Sequence, residues 1–167
     1  DCLELACGTG LWTGTLASGS KSMTAIDAVP EMIEINRAKL KESHVRFEVA
    51  NLFEWQPDRT YDTVFFGFWL SHIPPEKFDL FWNIVHTALK PGGTVFFVDS
   101  LQNQDSTALD HAQIDDSGVV KRKLNDGQVF KVVKIFHDPE KLKQRLLGLG
   151  FQGVVLKTGE FFYYGCL

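Results

Sequence analysis

Short apolar runs alternate with helix-spaced apolar stripes along most of this chain. Cys2-Leu3-Glu4-Leu5-Ala6 is apolar but for one acid, and it runs into a Gly8-Thr9-Gly10 turn. Leu11, Trp12, Leu16 and Ala17 then give a short helical pattern that ends near Ser18-Gly19. Met23-Thr24-Ala25-Ile26 reads as a buried strand that stops at Asp27. Pro30 suits the first turn of a helix and Glu31 sits by the positive end of its dipole, so a helix is expected to about Lys41. Val45-Arg46-Phe47-Glu48-Val49 alternates with period two, a strand signature, and ends at Asn51-Leu52. Asp62-Thr63-Val64-Phe65-Phe66 is the next buried strand, running into Gly67.

From Pro74 the period changes to that of a helix. Phe78, Phe81, Trp82, Val85 and Leu89 form one apolar stripe. Pro91-Gly92-Gly93 is expected to stop it before a fifth strand, Thr94-Val95-Phe96-Phe97-Val98. Five strands alternating with helices imply an α/β fold with a parallel sheet and helices on both faces. Residues 101–118 are polar and acidic and read as a surface excursion. Residues 119–135 read as two strands about Asn125-Asp126-Gly127, a hairpin inserted into the α/β pattern. Asp138-Pro139-Glu140 has the form of an N-cap with proline at the first helical position. Leu142, Leu146 and Leu149 supply that helix's apolar face, and Gly150 its stop. Residues 151–156 and 161–164 read as strands whose short link makes them antiparallel. No repeat, linker or low-complexity tract divides residues 1–167, which are read as one domain.

At 167 residues, 44% hydrophobic with fourteen Phe, the chain can bury a three-layer core. A net charge of −4 and a pI near 5.7 give no general attraction to nucleic acid or anionic membrane, so neither is expected as a partner. No apolar run approaches the ~18 residues that span a bilayer. Three cysteines without metal-ligand spacing, and no visible signal peptide, fit reduced thiols in a cytoplasmic protein. Because the chain opens inside a core strand, helices are expected to precede it. The sequence carries no signal for oligomeric state.

The glycine turn is the candidate ligand seat. Glycine admits positive φ and close approach of a ligand to the backbone, and a helix starting behind the turn directs N–H groups at the same place. A nicotinamide-dependent oxidoreductase would carry a third glycine or alanine where this chain has Thr13, which weakens that alternative. Asp27, closing the second strand, has the spacing of a carboxylate that accepts both hydroxyls of a ribose, a feature many nucleoside-binding folds share.

Taken together, these residues resemble the class I S-adenosylmethionine-dependent methyltransferases that act on small molecules. Glu4-Leu5-Ala6-Cys7-Gly8-Thr9-Gly10 is similar to the first motif of that family. Asp27 matches its ribose acid, with Ala28 beside it, and Met32 an apolar contact to adenine. Asn51-Leu52 stands where the family has Asp and an apolar residue. Asn51 departs from the pattern, but its carbonyl can still accept from the adenine amine. Tyr61-Asp62-Thr63-Val64-Phe65-Phe66-Gly67 resembles the fourth motif, whose end flanks the methionine part of the cofactor, so Phe66 and Phe68 join the expected contacts. The resemblance implies a doubly wound, Rossmann-like sandwich with seven strands in the order 3-2-1-4-5-7-6, the seventh antiparallel. It also implies S-adenosylmethionine as cofactor and methyl transfer to O or N of a small-molecule acceptor. A non-catalytic cofactor-binding domain of the same fold is a further alternative.

Some residues have competing explanations. A lone carboxylate at Glu4 inside a strand needs partners, and a hydrogen-bonding role beneath the amino-acid end of the cofactor would provide them. His72, just past the fourth strand, is the candidate general base, and a loop histidine capping the next helix is the plainer reading. No pair of His44, His86, His111 and His137 has metal-ligand spacing, and no metal is expected. The cations of the hairpin region, Lys121, Arg122, Lys123, Lys131 and Lys134, could draw an acidic acceptor, but protection of an exposed edge explains them more simply.

Overall fold

The computed structural model describes residues 1–40, 44–103, 119–123 and 129–167, with 119–123 and 129–131 described by their backbone. Four parallel strands, β1 (Cys2–Leu5), β2 (Met23–Asp27), β3 (Val45–Val49) and β4 (Tyr61–Gly67), alternate with α1 (Thr13–Ser18) and α2 (Pro30–Lys39). Short 3₁₀ turns at Leu70–His72 and Pro75–Lys77 lead into α3 (Phe78–Ala88) and β5 (Leu89–Ser100). A two-stranded antiparallel pair, β6 (Val119–Lys123) and β7 (Val129–Val133), precedes α4 (Pro139–Gly148), β8 (Val154–Thr158) and β9 (Phe162–Cys166). The main sheet runs β3-β2-β1-β4-β5-β9-β8, with β9 antiparallel to both its neighbours. This is the expected seven-stranded order. The Asn125-Asp126-Gly127 turn, and all of the 101–118 excursion past residue 103, lie outside the described residues.

Two local expectations need correction. The stripe predicted to end at Leu89 stops one residue earlier, and Leu89 opens β5 in extended conformation (φ −91°, ψ 133°). Proline at 91 disfavours a helical residue before it, so the chain leaves the helix early. The Pro91-Gly92-Gly93 segment is therefore inside a twelve-residue strand, with a register shift between Tyr61 and Thr63 of the neighbouring strand.

Alternation along the strands sorts the core into two layers. Leu3, Leu5, Val64, Phe66, Val95 and Phe97 face α3 and α4, whose Phe81, Trp82, Val85, Leu142 and Leu146 are buried against them. Trp82 is the hub, with ring centroids of Phe66, Phe97 and Phe151 at 5.7, 5.8 and 4.9 Å. Cys2, Cys7, Met23 and Ala25 face α1 and α2. Asp138 caps α4 by accepting from the Lys141 N–H at 3.0 Å, as its sequence indicates.

Candidate functional site

Parallel strands end together, so the C-terminal ends of β1, β2, β4 and β5 meet along one side of the sheet. Leu5 lies opposite Ile26, and the Cys7 N–H extends that ladder by donating to the Ile26 carbonyl (2.9 Å). This register brings the end of β2 beside the glycine turn. The Gly8 N–H donates to Asp27 Oδ2 at 2.9 Å, while Asp27 Oδ1 accepts from the Val29 N–H at 3.0 Å. An ionised carboxylate has about four lone-pair sites, so two N–H bonds leave capacity for ligand hydroxyls.

The two glycines of the turn have different tasks. Gly8 (φ +51°) has nothing within 4 Å of where a Cβ would sit, so its surroundings are open. At Gly10 (φ +87°) a Cβ would run into the buried Asn36 side chain, so both the backbone conformation and packing within the protein favour glycine there. Among the described residues, Ala6 (φ 54°) and Phe68 (φ 56°) are the non-glycine residues in left-handed conformation. They stand just beyond β1 and β4, which are neighbours in the sheet. Such conformations cost about 1–3 kcal/mol each and concentrate at functional sites.

Glu4 is 1% exposed and accepts from the Thr13 hydroxyl at 2.6 Å. Burial pushes its pKa up to about 7, the Thr13 hydrogen bond opposes the rise and the charge on Asp27 adds to it. The expected need for a partner is thus met within the protein. Burial, with the carboxylates of Glu4 and Asp27, pushes the Cys7 thiol up to about 12, which leaves it neutral and unreactive. A Glu4 pKa of about 7 against 4.5 when unfolded means that the folded state gives up its proton later. Stability from this group is therefore complete below pH 4.5 and is lost as pH rises through 7, by about 3 kcal/mol. Denaturant titrations from pH 4.5 to 7 check this, since Glu4→Gln should flatten that part of the profile.

Other residues singled out in the sequence scatter more. Met32 and Ala28 are exposed at the start of α2, Met32 by 37%. Asn51 is exposed, its Oδ1 accepting from the Phe53 N–H (3.1 Å) and its Nδ2 donating to Glu54 (3.0 Å). One lone pair of the Asn51 carbonyl is thereby used by its own turn. Leu52 is a core residue beneath that turn. Phe66 does not reach the glycine turn. Strand alternation points it to the α3 layer, fully buried and stacked on Phe97 at 5.3 Å, while its neighbour Phe65 faces Trp12. Phe68 packs edge-on against Phe162 at 5.7 Å.

His72 ends the 3₁₀ turn that follows β4. Its Nδ1 lies 2.7 Å from the Val133 carbonyl. A carbonyl only accepts, so Nδ1 carries the proton and, in the neutral ring, Nε2 carries the lone pair. The same turn is held from below by fully buried Asp99, whose carboxylate accepts from the Ser71 N–H and hydroxyl, both at 2.8 Å. The segment after β7 fastens to it through Lys134 Nζ on Ser71 Oγ (2.8 Å) and the Ile135 N–H on the Ser71 carbonyl (2.8 Å). His137, its pKa lowered by burial, sits with Nε2 3.4 Å from the Leu70 carbonyl. Sequence reasoning missed Thr13, Asn36 and the Ser71–Asp99–Lys134 group. The available signal for Asn36 was a polar residue three positions after Ile33, on the inward face of α2. Among the described residues no His, Cys, Asp and Glu cluster could hold a metal, and no helix is long and apolar enough to cross a membrane.

Comparison with known proteins adds to this geometry. A family model described as a methyltransferase domain matches residues 2–93. A ubiquinone biosynthesis O-methyltransferase of Xanthomonas campestris is 32% identical over 99 residues, 56% of this chain and 40% of that protein. A demethylmenaquinone methyltransferase of Listeria welshimeri is 31% identical over 107 residues, 60% of this chain and 44% of its own. The match therefore spans less than half the length of these curated relatives. Among solved structures, DhpI in complex with SAH superimposes with a TM-score of 0.84 at 40% identity, covering 100% of this chain and 76% of that one. DhpI with SAM and HEP gives 0.85 at 38% identity, covering 100% and 78%.

Proposed function

The chain belongs to the methyltransferase domain family, and on that premise we propose that it binds S-adenosylmethionine at the 8–10 turn and methylates O or N of a small-molecule acceptor. The observation that carries this reading is the Asp27 carboxylate bonded to Gly8, which sets an acceptor for ribose hydroxyls beside an open glycine backbone. Solved complexes of DhpI with SAM and SAH support the choice of cofactor. When bound, the cofactor supplies a methyl group already activated on a sulfonium.

What remains for the protein is binding, orientation and proton removal. Asp27 accepts from the ribose, and Glu4, beneath the turn, is the anion for the cofactor's amino group. Met32, Asn51 and Leu52 belong to the adenine end, with Ala6, Ala28 and Phe68 along the strand ends. Phe66 supports this side of the sheet from the core. His72 takes the proton of a hydroxyl acceptor on Nε2, because its Nδ1–H is committed to Val133. His72→Ala is expected to lower kcat by about a hundredfold or more and to leave cofactor affinity unchanged. Rate assays paired with calorimetry check both halves.

A nicotinamide cofactor is not favoured, since the position of the third glycine is Thr13, whose hydroxyl is bound to Glu4. A binding domain without turnover is separated from an enzyme by assay. We read residues 1–167 as one domain working in a reducing cytoplasm, on three unpaired thiols, with no nucleic-acid or membrane partner. Incubation with methyl-labelled S-adenosylmethionine and a panel of small hydroxyl and amine compounds tests the proposal. Label in a product with release of SAH supports it, and binding without transfer to any compound would favour the non-catalytic alternative.

A further inference from the structure

Beneath the glycine turn, three buried polar side chains form a directional chain. Asn36 Nδ2 donates to Thr13 Oγ1 at 2.8 Å, and Thr13 Oγ1 donates to Glu4 Oε2 at 2.6 Å. Asn36 is 1% exposed, Thr13 0% and Glu4 1%, so water does not substitute for any of them. They come from three elements: the inner face of α2, the first position of α1 and the middle of β1. The direction matters. A hydroxyl has one proton, and because Asn36 can only donate from its nitrogen, that proton is committed to the carboxylate. Protonation at Oε2 would displace that bond, and protonation at Oε1 would leave Oε2 a weaker, uncharged acceptor, so the relay favours the Glu4 anion.

We propose that Thr13 and Asn36 are positioning residues of the cofactor site, which hold Glu4 as the anion that receives the cofactor's ammonium group. The proposal rests on the cofactor reading above. It extends that reading to two residues that lie beneath the turn and act through Glu4. The same Asn36 also reaches the Gly8 carbonyl (3.4 Å) and occupies the space a Cβ on Gly10 would need, so the relay and the shape of the turn are fixed together.

The charged surroundings of Glu4 make the device sensitive. From β2, Asp27 repels the anion. Cys2 of β1 and Cys7 of the turn after it present thiols whose pKa values are raised by burial, so they add no charge. From β4 the register partner is Phe65. From α1 the contact is Thr13, and the charged residues of α2, Glu31, Glu34, Arg37 and Lys39, are all on its exposed face. No fixed cation in this set holds Glu4 ionised. The relay favours the anion against the effect of burial, and binding of the cofactor's cation near neutrality displaces any proton that Glu4 still carries.

Two measurements on the wild type, Thr13→Val, Thr13→Ser and Asn36→Ala test this. The first follows the Glu4 carboxyl carbon by NMR as pH is varied without ligand. The second follows the Kd for S-adenosylmethionine and for SAH by calorimetry between about pH 5.5 and 7.5. Wild-type affinity is expected to weaken about tenfold per pH unit below the Glu4 midpoint. Thr13→Val should raise that midpoint by about one unit and weaken binding about tenfold at fixed pH within the window. Asn36→Ala should shift both less in the same direction, and Thr13→Ser should restore wild-type behaviour. Asn36→Ala retains the Thr13 hydroxyl and carries the test if Thr13→Val does not fold. A Glu4 midpoint that neither variant moves would overturn the proposal, as would a moved midpoint with an unchanged pH dependence of Kd. If the wild type binds neither compound at any pH, the cofactor reading itself fails and this proposal falls with it.

Discussion

Replacing Asp27 with alanine is expected to weaken binding of S-adenosylmethionine and SAH by about a hundredfold or more, the largest loss of affinity from any single side chain here. Hydrogen bonds to a charged acceptor contribute about 1.5–3 kcal/mol each, and two ribose hydroxyls share this carboxylate in the proposed complex. The variant also loses the anchor of the Gly8 N–H, so the turn is less well set before the ligand arrives. Asp27→Asn keeps the shape and one acceptor oxygen, and should fall between the two. Calorimetry measures all three proteins, with circular dichroism to show that each is folded. Equal affinity in wild type and Asp27→Ala would remove the ribose role.

Trp82→Ala is expected to have the largest effect on stability and little effect on the ligand. The indole is 1% exposed, and the rings of Phe66, Phe78, Phe81, Phe97 and Phe151 surround it. Truncating a buried Trp costs about 3–5 kcal/mol, of which part is the cavity left behind. For a chain of this size each kcal/mol moves Tm by about 2–4 °C, so a fall of about 6–20 °C should appear in a melting curve. Trp82 lies on the α3 side of the sheet, away from the residues that face the glycine turn. Cofactor affinity of the folded variant should therefore change less than twofold, about 0.4 kcal/mol. A melting temperature near that of the wild type would mean that the aromatic cluster does not hold the sheet to α3.

These two residues illustrate what the sequence makes legible. Trp82 sits in a stripe at helical spacing, and a period needs only local information. The same holds for the strand at 45–49, the cap at Asp138 and the glycine turn, all of which appear where their patterns put them. Asp27 was readable because a strand end and a turn motif occur at a set separation. Elements went astray where the deciding contact is distant in the chain. Pro91 is a local signal for the end of α3, but the pairing of Leu89 with Tyr61, which turns the next residue into strand, lies outside any window around the helix. Phe66 and Phe65 are equivalent by composition, and only the face taken by the whole strand decides which ring packs on α3 and which on Trp12. The relay under the turn joins residues 4, 13 and 36, and the Asp99 group joins residues 71, 99 and 134. Hydrogen bonds between positions so far apart leave no periodic trace. Their one local sign is a polar residue on a face that should be apolar.

The strain at Ala6 and Phe68 fits the same picture. Two adjacent strands end in left-handed non-glycine residues on the side of the sheet that carries the glycine turn. Such geometry needs surrounding structure to hold it. At Ala6 the Cys7–Ile26 and Gly8–Asp27 hydrogen bonds do so, and at Phe68 the bond from its N–H to the Val98 carbonyl (2.8 Å) does so.

A crystal structure of the protein with SAH is the most direct test. The account predicts the adenosyl group lying against the backbone of residues 8–10, both ribose hydroxyls within hydrogen-bonding reach of Asp27, and the amino group on the Glu4 side of the turn. Ligand density elsewhere on the molecule, or an adenosyl group in the turn with its ribose away from Asp27, would contradict it.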